Sequence, residues 1–137
     1  MYLLDTNVVS ELRKNRPHGA VLAWVERNHE VHLHLSAMTL GEIQAGIEIT
    51  REQDTAKADH IQAWLDQLSE AYNILPLDGR VMRHWARLMH RRSDTLYEDA
   101  LIAATAHVHQ LIVVTRNTAD FTEFGVPLLN PFLPSDA

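Results

Sequence analysis

The first four residues, "MYLL", make a short apolar run that stops at Asp5. The following "DTNVVSELRK" then changes to helical spacing. Strand, loop and helix are expected, with Pro17 closing the helix. "AVLAWVERN" has helical spacing, "VHLHL" alternates as a strand does, and "SAMTLGEIQAGIEI" is helical again, starting at either Ser36 or Thr39. Residues 54–71 form a long amphipathic pattern through Ile61, Trp64, Leu65 and Leu68, followed by a short strand, "NILPL". "DGRVMRHWARLMHRR" predicts a helix with Val81, Trp85 and Leu88 on its apolar side, and "LYEDALIAATAHVH" predicts another. "LIVVT" is the best strand, apolar throughout as buried parallel strands are, and "VPLLN" is a weaker one. Alternation of strand and helix predicts an α/β fold: a central parallel sheet covered by helices on both faces.

One acid interrupts this pattern. At 100° per residue Asp99 falls between Ile102 and Ala106 on one side and Ala103 on the other, whereas Glu98 is expected to point away beside Thr105. A carboxylate in apolar surroundings either takes up a proton or keeps its charge by finding a cation.

Length and composition narrow the choices. With 137 residues the chain is sized for one domain, 1–137. Its 46% hydrophobic and 22% charged residues are those of a globular protein without low-complexity tracts. There is no cysteine, which excludes disulfides and thiolate zinc sites and leaves oxygen or imidazole ligands for any metal. No basic leader precedes an apolar stretch and no run approaches membrane-spanning length, so a cytoplasmic protein without membrane contact is expected. The formal charge of −6 argues against bulk electrostatic binding of nucleic acid; local basic patches or a bridging metal would have to supply it.

Asp5 follows the first strand, at the carboxyl edge where open α/β sheets place their ligand sites. Glu42 lies in the helix after the second strand, Asp99 early in the helix before the strongest strand, and Asp120 beyond that strand in "VVTRNTADF". Parallel strands would bring them to one edge. Four carboxylates there repel one another, and a hard divalent cation resolves the conflict; oxygen ligands suit Mg²⁺ or Mn²⁺. The matching chemistry is metal-assisted phosphodiester hydrolysis. Three of the acids also have a purely structural explanation. Asp5 can cap a helix, Thr39 to Glu42 fits a capping box, and Asp120 can open a short helical turn, the better local explanation for that residue. Asp99 has no such explanation.

These segments together resemble a known family. "LLDTNVVSEL", "SAMTLGEI" with Ser36, Thr39 and Glu42, "EDALIAATA" and "VVTRNTADF" stand in the order and spacing of the PIN-domain ribonucleases, closest to the bacterial VapC and FitB-like toxins, also called plasmid-stability proteins. The resemblance covers Met1 to about Pro131. It implies a three-layer α/β/α PIN-like fold and a Mg²⁺- or Mn²⁺-dependent endoribonuclease whose catalytic acids are Asp5, Glu42, Asp99 and Asp120. Asp5 and Asp99 would be the metal ligands, and Asp120 could act through water. Thr6, Asn7, Thr115 and Asn117 match positions that orient the acids and water, with Asn117 standing where many relatives carry another acid. It further implies a toxin of a type II toxin–antitoxin pair that forms a homodimer, is held by a cognate antitoxin, reaches operator DNA only through that antitoxin, and cuts RNA. The antitoxin is expected to lay an apolar strip on the toxin and to place an Arg or Lys among the acids. Helices carrying Trp24, Ile43, Ile47 and Trp64 are candidate partner or dimer surfaces, or ordinary core.

Remaining features are open to more than one account. His32 and His34 would share a strand face, but a metal site needs a third ligand, and His107 and His109 point about 200° apart on a helix. Arg80, Arg83, Arg87 and Arg91 form a basic stripe that is either a solvated face or a rail for RNA phosphates, and Arg13, Lys14 and Arg16 near Asp5 are a second candidate contact. A receiver-type phosphoacceptor domain would need an acidic pair after its first strand and a lysine after its last; "LLDTN" and "VVTRN" stand there instead. A non-catalytic PIN-like binding module would have lost the acids, and all four are present.

Overall fold

A computed structural model describes residues 1–134. Five parallel strands, β1 (Tyr2–Leu4), β2 (Leu33–Ser36), β3 (Asn73–Leu75), β4 (Ile112–Val114) and β5 (Leu128–Leu129), form one sheet in the order β3-β2-β1-β4-β5. Helices α1 (Thr6–Leu12), α2 (Gly19–Arg27), α3 (Ala37–Arg51), α4 (Thr55–Ala71), α5 (Gly79–Met89) and α6 (Tyr97–His109) connect them.

Strand alternation sorts side chains into two cores. Leu4, Val114, Leu33 and Leu35 face one side, where Val8, Val21, Ile47, Ile61 and Leu65 of α1 to α4 cover them. Leu3 and Val113 face the other, packed on Ala103 and Ala106 of α6 and on Phe121 and Phe124 of the 3-10 segment Thr118–Phe124. The three-layer α/β/α arrangement expected from the strand–helix alternation is the one observed.

Several boundaries differ from the periodicity, each for a local reason. Helix α1 stops at Leu12, well before Pro17, because the buried Glu11 carboxylate accepts the His18 N–H at 3.0 Å and the Lys14 ammonium at 3.0 Å and draws the chain into a loop. Residues 30–32 are a 3-10 turn rather than strand, since His29 Nδ1 caps Val31 N–H at 3.1 Å; His32 and His34 therefore do not share a strand face. Helix α5 ends at Met89 instead of Arg92. Arg91 adopts φ 61°, and Arg92 turns away to pair with Glu123 at 2.6 Å and to lie over the Phe124 ring. Arg91 thus leaves the helical stripe. Trp24 and Ile47 are buried core, and Ile43 and Trp64 pack against that core half-buried, so Trp24 and Ile47 cannot serve as a partner surface.

Candidate active site

The sheet register sets the site. Strand β1 pairs with β2 on one side and β4 on the other, so the chain reverses its direction of sheet growth at β1, the place where open α/β sheets leave a crevice. Leu4 pairs with both Leu35 and Val114. The next residues, Asp5, Ser36 and Thr115, must therefore lie side by side at the carboxyl edge.

Asp5 is buried and its carboxylate is fully engaged. Oδ1 accepts the Thr6 N–H at 2.8 Å, capping α1, while Oδ2 accepts the Thr115 hydroxyl at 2.8 Å and the Asn7 amide at 3.2 Å. Asn7 Nδ2 also reaches Thr115 Oγ1 at 3.3 Å, and Asn7 Oδ1 accepts the Arg116 N–H at 3.2 Å, tying α1 to the segment after β4. Asn117 contributes its backbone N–H to Thr115 Oγ1 at 3.0 Å; its side chain makes no capping bond. The cap and the functional explanation of Asp5 are compatible, because one oxygen caps and the other faces the polar cluster.

Strand β2 runs into α3 without a loop. Ser36 Oγ accepts the Met38 N–H at 3.0 Å and is the helix cap. Thr39 is not a cap and no capping box forms; it lies buried inside α3, its hydroxyl 3.0 Å from that of Thr6. Thr6 in turn donates to Glu42 Oε1 at 3.0 Å. Two turns of helix thus hold Glu42 over the Asp5 edge.

Helix α6 delivers the acid that interrupts the apolar pattern. Ala100 through Ala106 are all buried, so the helix has no exposed face along that stretch, while Asp99 in its first turn is half-buried at the sheet edge. Glu98 does not point away. It is exposed, yet near enough that its charge acts on Asp5, Glu42 and Asp99. The helical wheel missed it because angle distinguishes faces only where a helix has a solvent side. The available signal was its place beside Asp99 in the first turn. Asp120 lies outermost, exposed on the 3-10 segment, with its charge acting on Asp5 and Asp99.

Burial, helped by crowding, raises three of these carboxyls, those of Asp99, Glu42 and Asp5. Burial pushes Asp99 up to about 6, with the charges of Asp5, Asp120 and Glu98 adding to it. Burial likewise raises Glu42 to about 7, against the Thr6 hydrogen bond and with the help of Glu98. Asp5 is also raised by burial, although the Thr115 and Thr6 hydrogen bonds pull the other way. Among the described residues, none of the ion pairs involves Asp5, Glu42, Asp99 or Asp120, so no protein cation there offsets the repulsion.

The candidate basic contacts scatter. Arg13 lines a groove of about 300 Å³ beside Thr6 and Glu42, whereas Lys14 is engaged with Glu11. Arg80, Arg83 and Arg87 sit elsewhere, in a recess with His84 and His107.

The sequence matches the PIN domain family over residues 2–126. The chain belongs to the PIN-domain family. This PIN domain is 34% identical to the VapC ribonuclease Y4jK of Sinorhizobium fredii, with 98% of this chain and 100% of the relative covered. The crystal structure of FitAcB from Neisseria gonorrhoeae superposes with a TM-score of 0.85 at 31% identity, over 96% of this chain and 99% of that one. A toxin-antitoxin complex from Klebsiella pneumoniae superposes with a TM-score of 0.72 at 26% identity, over 96% and 98%.

Among the described residues no three of His, Asp and Glu converge tightly enough to cage a metal ion. The chemistry of the donors still fits Mg²⁺ or Mn²⁺: an uncompensated carboxylate cluster is what a hard cation stabilises, and Mg²⁺ keeps several waters and takes only one or two carboxylates. Asp5 is the buried acid of the set, and Glu42 and Asp99 are half-buried.

Proposed function

We propose that this PIN domain, residues 1–137 acting as one unit, is a divalent-metal-dependent endoribonuclease and the toxin of a type II toxin–antitoxin pair. One observation carries the proposal: acids from four separate segments surround the sheet's switch point near enough for charge to act between them, with burial and mutual repulsion raising the carboxyls of Asp5, Glu42 and Asp99 and, among the described residues, no basic side chain paired with any of the four. The relationship to a VapC ribonuclease supports phosphodiester hydrolysis as the chemistry. Asp5 and Asp99 would hold Mg²⁺ or Mn²⁺, which supplies, when bound, charge neutralisation at the phosphate and acidification of water.

The residues then divide the work. Thr115, Asn7 and Thr6 fix the Asp5 carboxylate through hydrogen bonds, leaving little rotamer freedom to lose on ligand binding. Glu42, whose carboxyl titrates at about 7, suits the role of proton acceptor from an attacking water. Asp120, exposed at the rim, suits a water-mediated contact. Arg13 beside Glu42 is placed to meet a substrate phosphate.

Restraint by an antitoxin is part of the proposal, supported by the similarity to a toxin-antitoxin complex. The groove beside Glu42, where the half-buried Ile43 is the accessible apolar side chain, lies next to the acids, so a bound segment could rest there and place an Arg or Lys among them. A homodimer, a cytoplasmic location and operator binding only through the antitoxin complete the account. The test is incubation of purified protein with single-stranded RNA in Mg²⁺ and in EDTA. Cleavage that stops in EDTA supports the proposal; RNA left intact in Mg²⁺ by antitoxin-free protein refutes it and favours a non-catalytic binding module.

A further inference from the structure

Helices α5 and α6 are joined by a short connection and pack against each other, so the beginning of α5 meets the end of α6. A recess of about 410 Å³ opens there, lined by Arg80, Arg83, His84, Arg87, His107 and Gln110. It is remote from the acids: His107 is eight residues along α6 from Asp99, roughly 12 Å at 1.5 Å per residue.

The charge pattern is not that of an ordinary solvated helix. Exposed helices intersperse acids so that i and i+4 partners attract. Here Arg83 is followed at i+4 by Arg87 and Arg80 by His84, α5 carries no acid from Gly79 to Met89, and α6 carries none after Asp99. Among the described residues no carboxylate pairs with Arg80, Arg83 or Arg87. Three permanent cations therefore converge without counter-charge on a chain of net charge −6.

The histidines strengthen the case. His107 Nε2 lies 2.6 Å from the Phe124 carbonyl oxygen, which only accepts, so that nitrogen carries a hydrogen. The His84 ring stands 4.8 Å from that of His107, and His84 Nε2 is shielded from solvent with no partner among the described residues. A shielded nitrogen left unpaired is rare, and a donor or acceptor from outside the chain would satisfy it. The neighbouring guanidinium groups repel a metal ion and favour an anion. Guanidinium forks and imidazole N–H groups together supply more donors than one carboxylate can use, which suits a phosphate.

We propose that Arg80, Arg83, Arg87, His84 and His107 form a phosphate-binding pocket, separate from the acidic site, that holds a backbone phosphate of RNA or the phosphate of a free nucleotide. The RNA alternative rests on the nuclease proposal and extends it, giving the substrate a second grip beyond the cut. Burial and the charges of His107 and Arg87 hold His84 below the ordinary histidine value, and a bound phosphate raises it again.

The test is metal-free and does not depend on cleavage. The imidazole nitrogen signals of His84 and His107 are followed by NMR in EDTA while inorganic phosphate, a ribonucleoside monophosphate or a single-stranded oligoribonucleotide is added. Both signals are expected to move and saturate, with the His84 pKa rising. An Arg83→Gln/Arg87→Gln protein, altered only on an exposed helix face, should bind about tenfold or more weakly. Where the strand is the source, its salt slope falls by about 0.7 for each phosphate no longer neutralised. Binding of phosphate and nucleotide with RNA affinity unchanged in the double variant assigns the pocket to a free nucleotide. Unmoved signals with all three probes, or equal affinity of wild type and double variant for all three, overturn the pocket. Asp99→Asn separates the two proposals, since loss of cutting with phosphate binding retained concerns the acidic site alone.

Discussion

Asp5 and Thr115 end two hydrogen-bonded parallel strands, and the Thr115 hydroxyl donates to Asp5 Oδ2 at 2.8 Å. Register alone makes them neighbours. Thr115 Oγ1 also accepts from Asn117 N–H and Asn7 Nδ2, so one hydroxyl fixes both the acid and the loop after β4. Thr115→Val keeps the shape and removes these bonds. We expect cleavage to fall about 10- to 100-fold, as for partners that orient metal ligands, and stability to fall by about 1–3 kcal/mol for the donors left unpaired. Single-turnover RNA cleavage and urea denaturation check the two effects; a variant with unchanged cleavage contradicts the orienting role.

Crowded acids make metal-free stability depend on pH in a defined direction. Asp99 and Glu42 titrate at about 6 and about 7 in the folded chain, above their ordinary values of 3.8 and 4.5. The folded state therefore binds more protons than the unfolded state between those limits. The contribution is fully present below the ordinary values and lost as pH rises through 6 to 7. In EDTA the melting temperature should fall over that range, and Glu42→Gln should melt higher than wild type at pH 8, by roughly 3–6 °C for about 1 kcal/mol. Scanning calorimetry measures this; a Glu42→Gln protein that melts lower than wild type at pH 8 contradicts the crowding.

The charge of Glu98 helps to raise the Glu42 carboxyl. Glu98→Gln should leave cleavage at pH 8 nearly unchanged and extend activity to lower pH, because Glu42 then stays ionised further down. A pH–rate profile, or carboxyl carbon NMR without metal, shows the shift. Identical profiles would remove Glu98 from the site.

Metal affinity should follow the same protons. Mn²⁺ must displace the proton held on Asp99 and is favoured by the charge of an ionised Glu42 nearby, so its affinity is expected to rise between pH 6 and about 7.5 and to level off above. Calorimetric titration at several pH values, with proton release read from buffers of different ionisation enthalpy, checks it. Affinity flat across that range contradicts the account.

Much of this was legible in the chain. Alternating periodicities predict the sheet and its flanking layers, and an acid just beyond β1 together with one in the apolar helix α6 predicts the edge where the site lies. The boundary that His29 sets by shortening β2 was not legible, and of the two starts the sequence offered for α3 the structure takes Ser36, which leaves Thr39 free to meet Thr6. Glu98 escaped because α6 is covered on all sides from Ala100 to Ala106, where helical angle says nothing about exposure. The arginine stripe was visible, but its joining with His84 and His107 depends on how α5 packs against α6.

Cleavage by the proposed nuclease requires Asp5 and Asp99 to hold a divalent ion. The most direct measurement compares wild type, Asp5→Asn and Asp99→Asn for cleavage of one single-stranded RNA in Mg²⁺, with folding verified by circular dichroism. The account predicts cleavage by wild type only, abolished by EDTA and at least about 100-fold weaker in both variants, which stay folded. Near wild-type cleavage by folded Asp99→Asn, or cleavage that persists in EDTA, would contradict it.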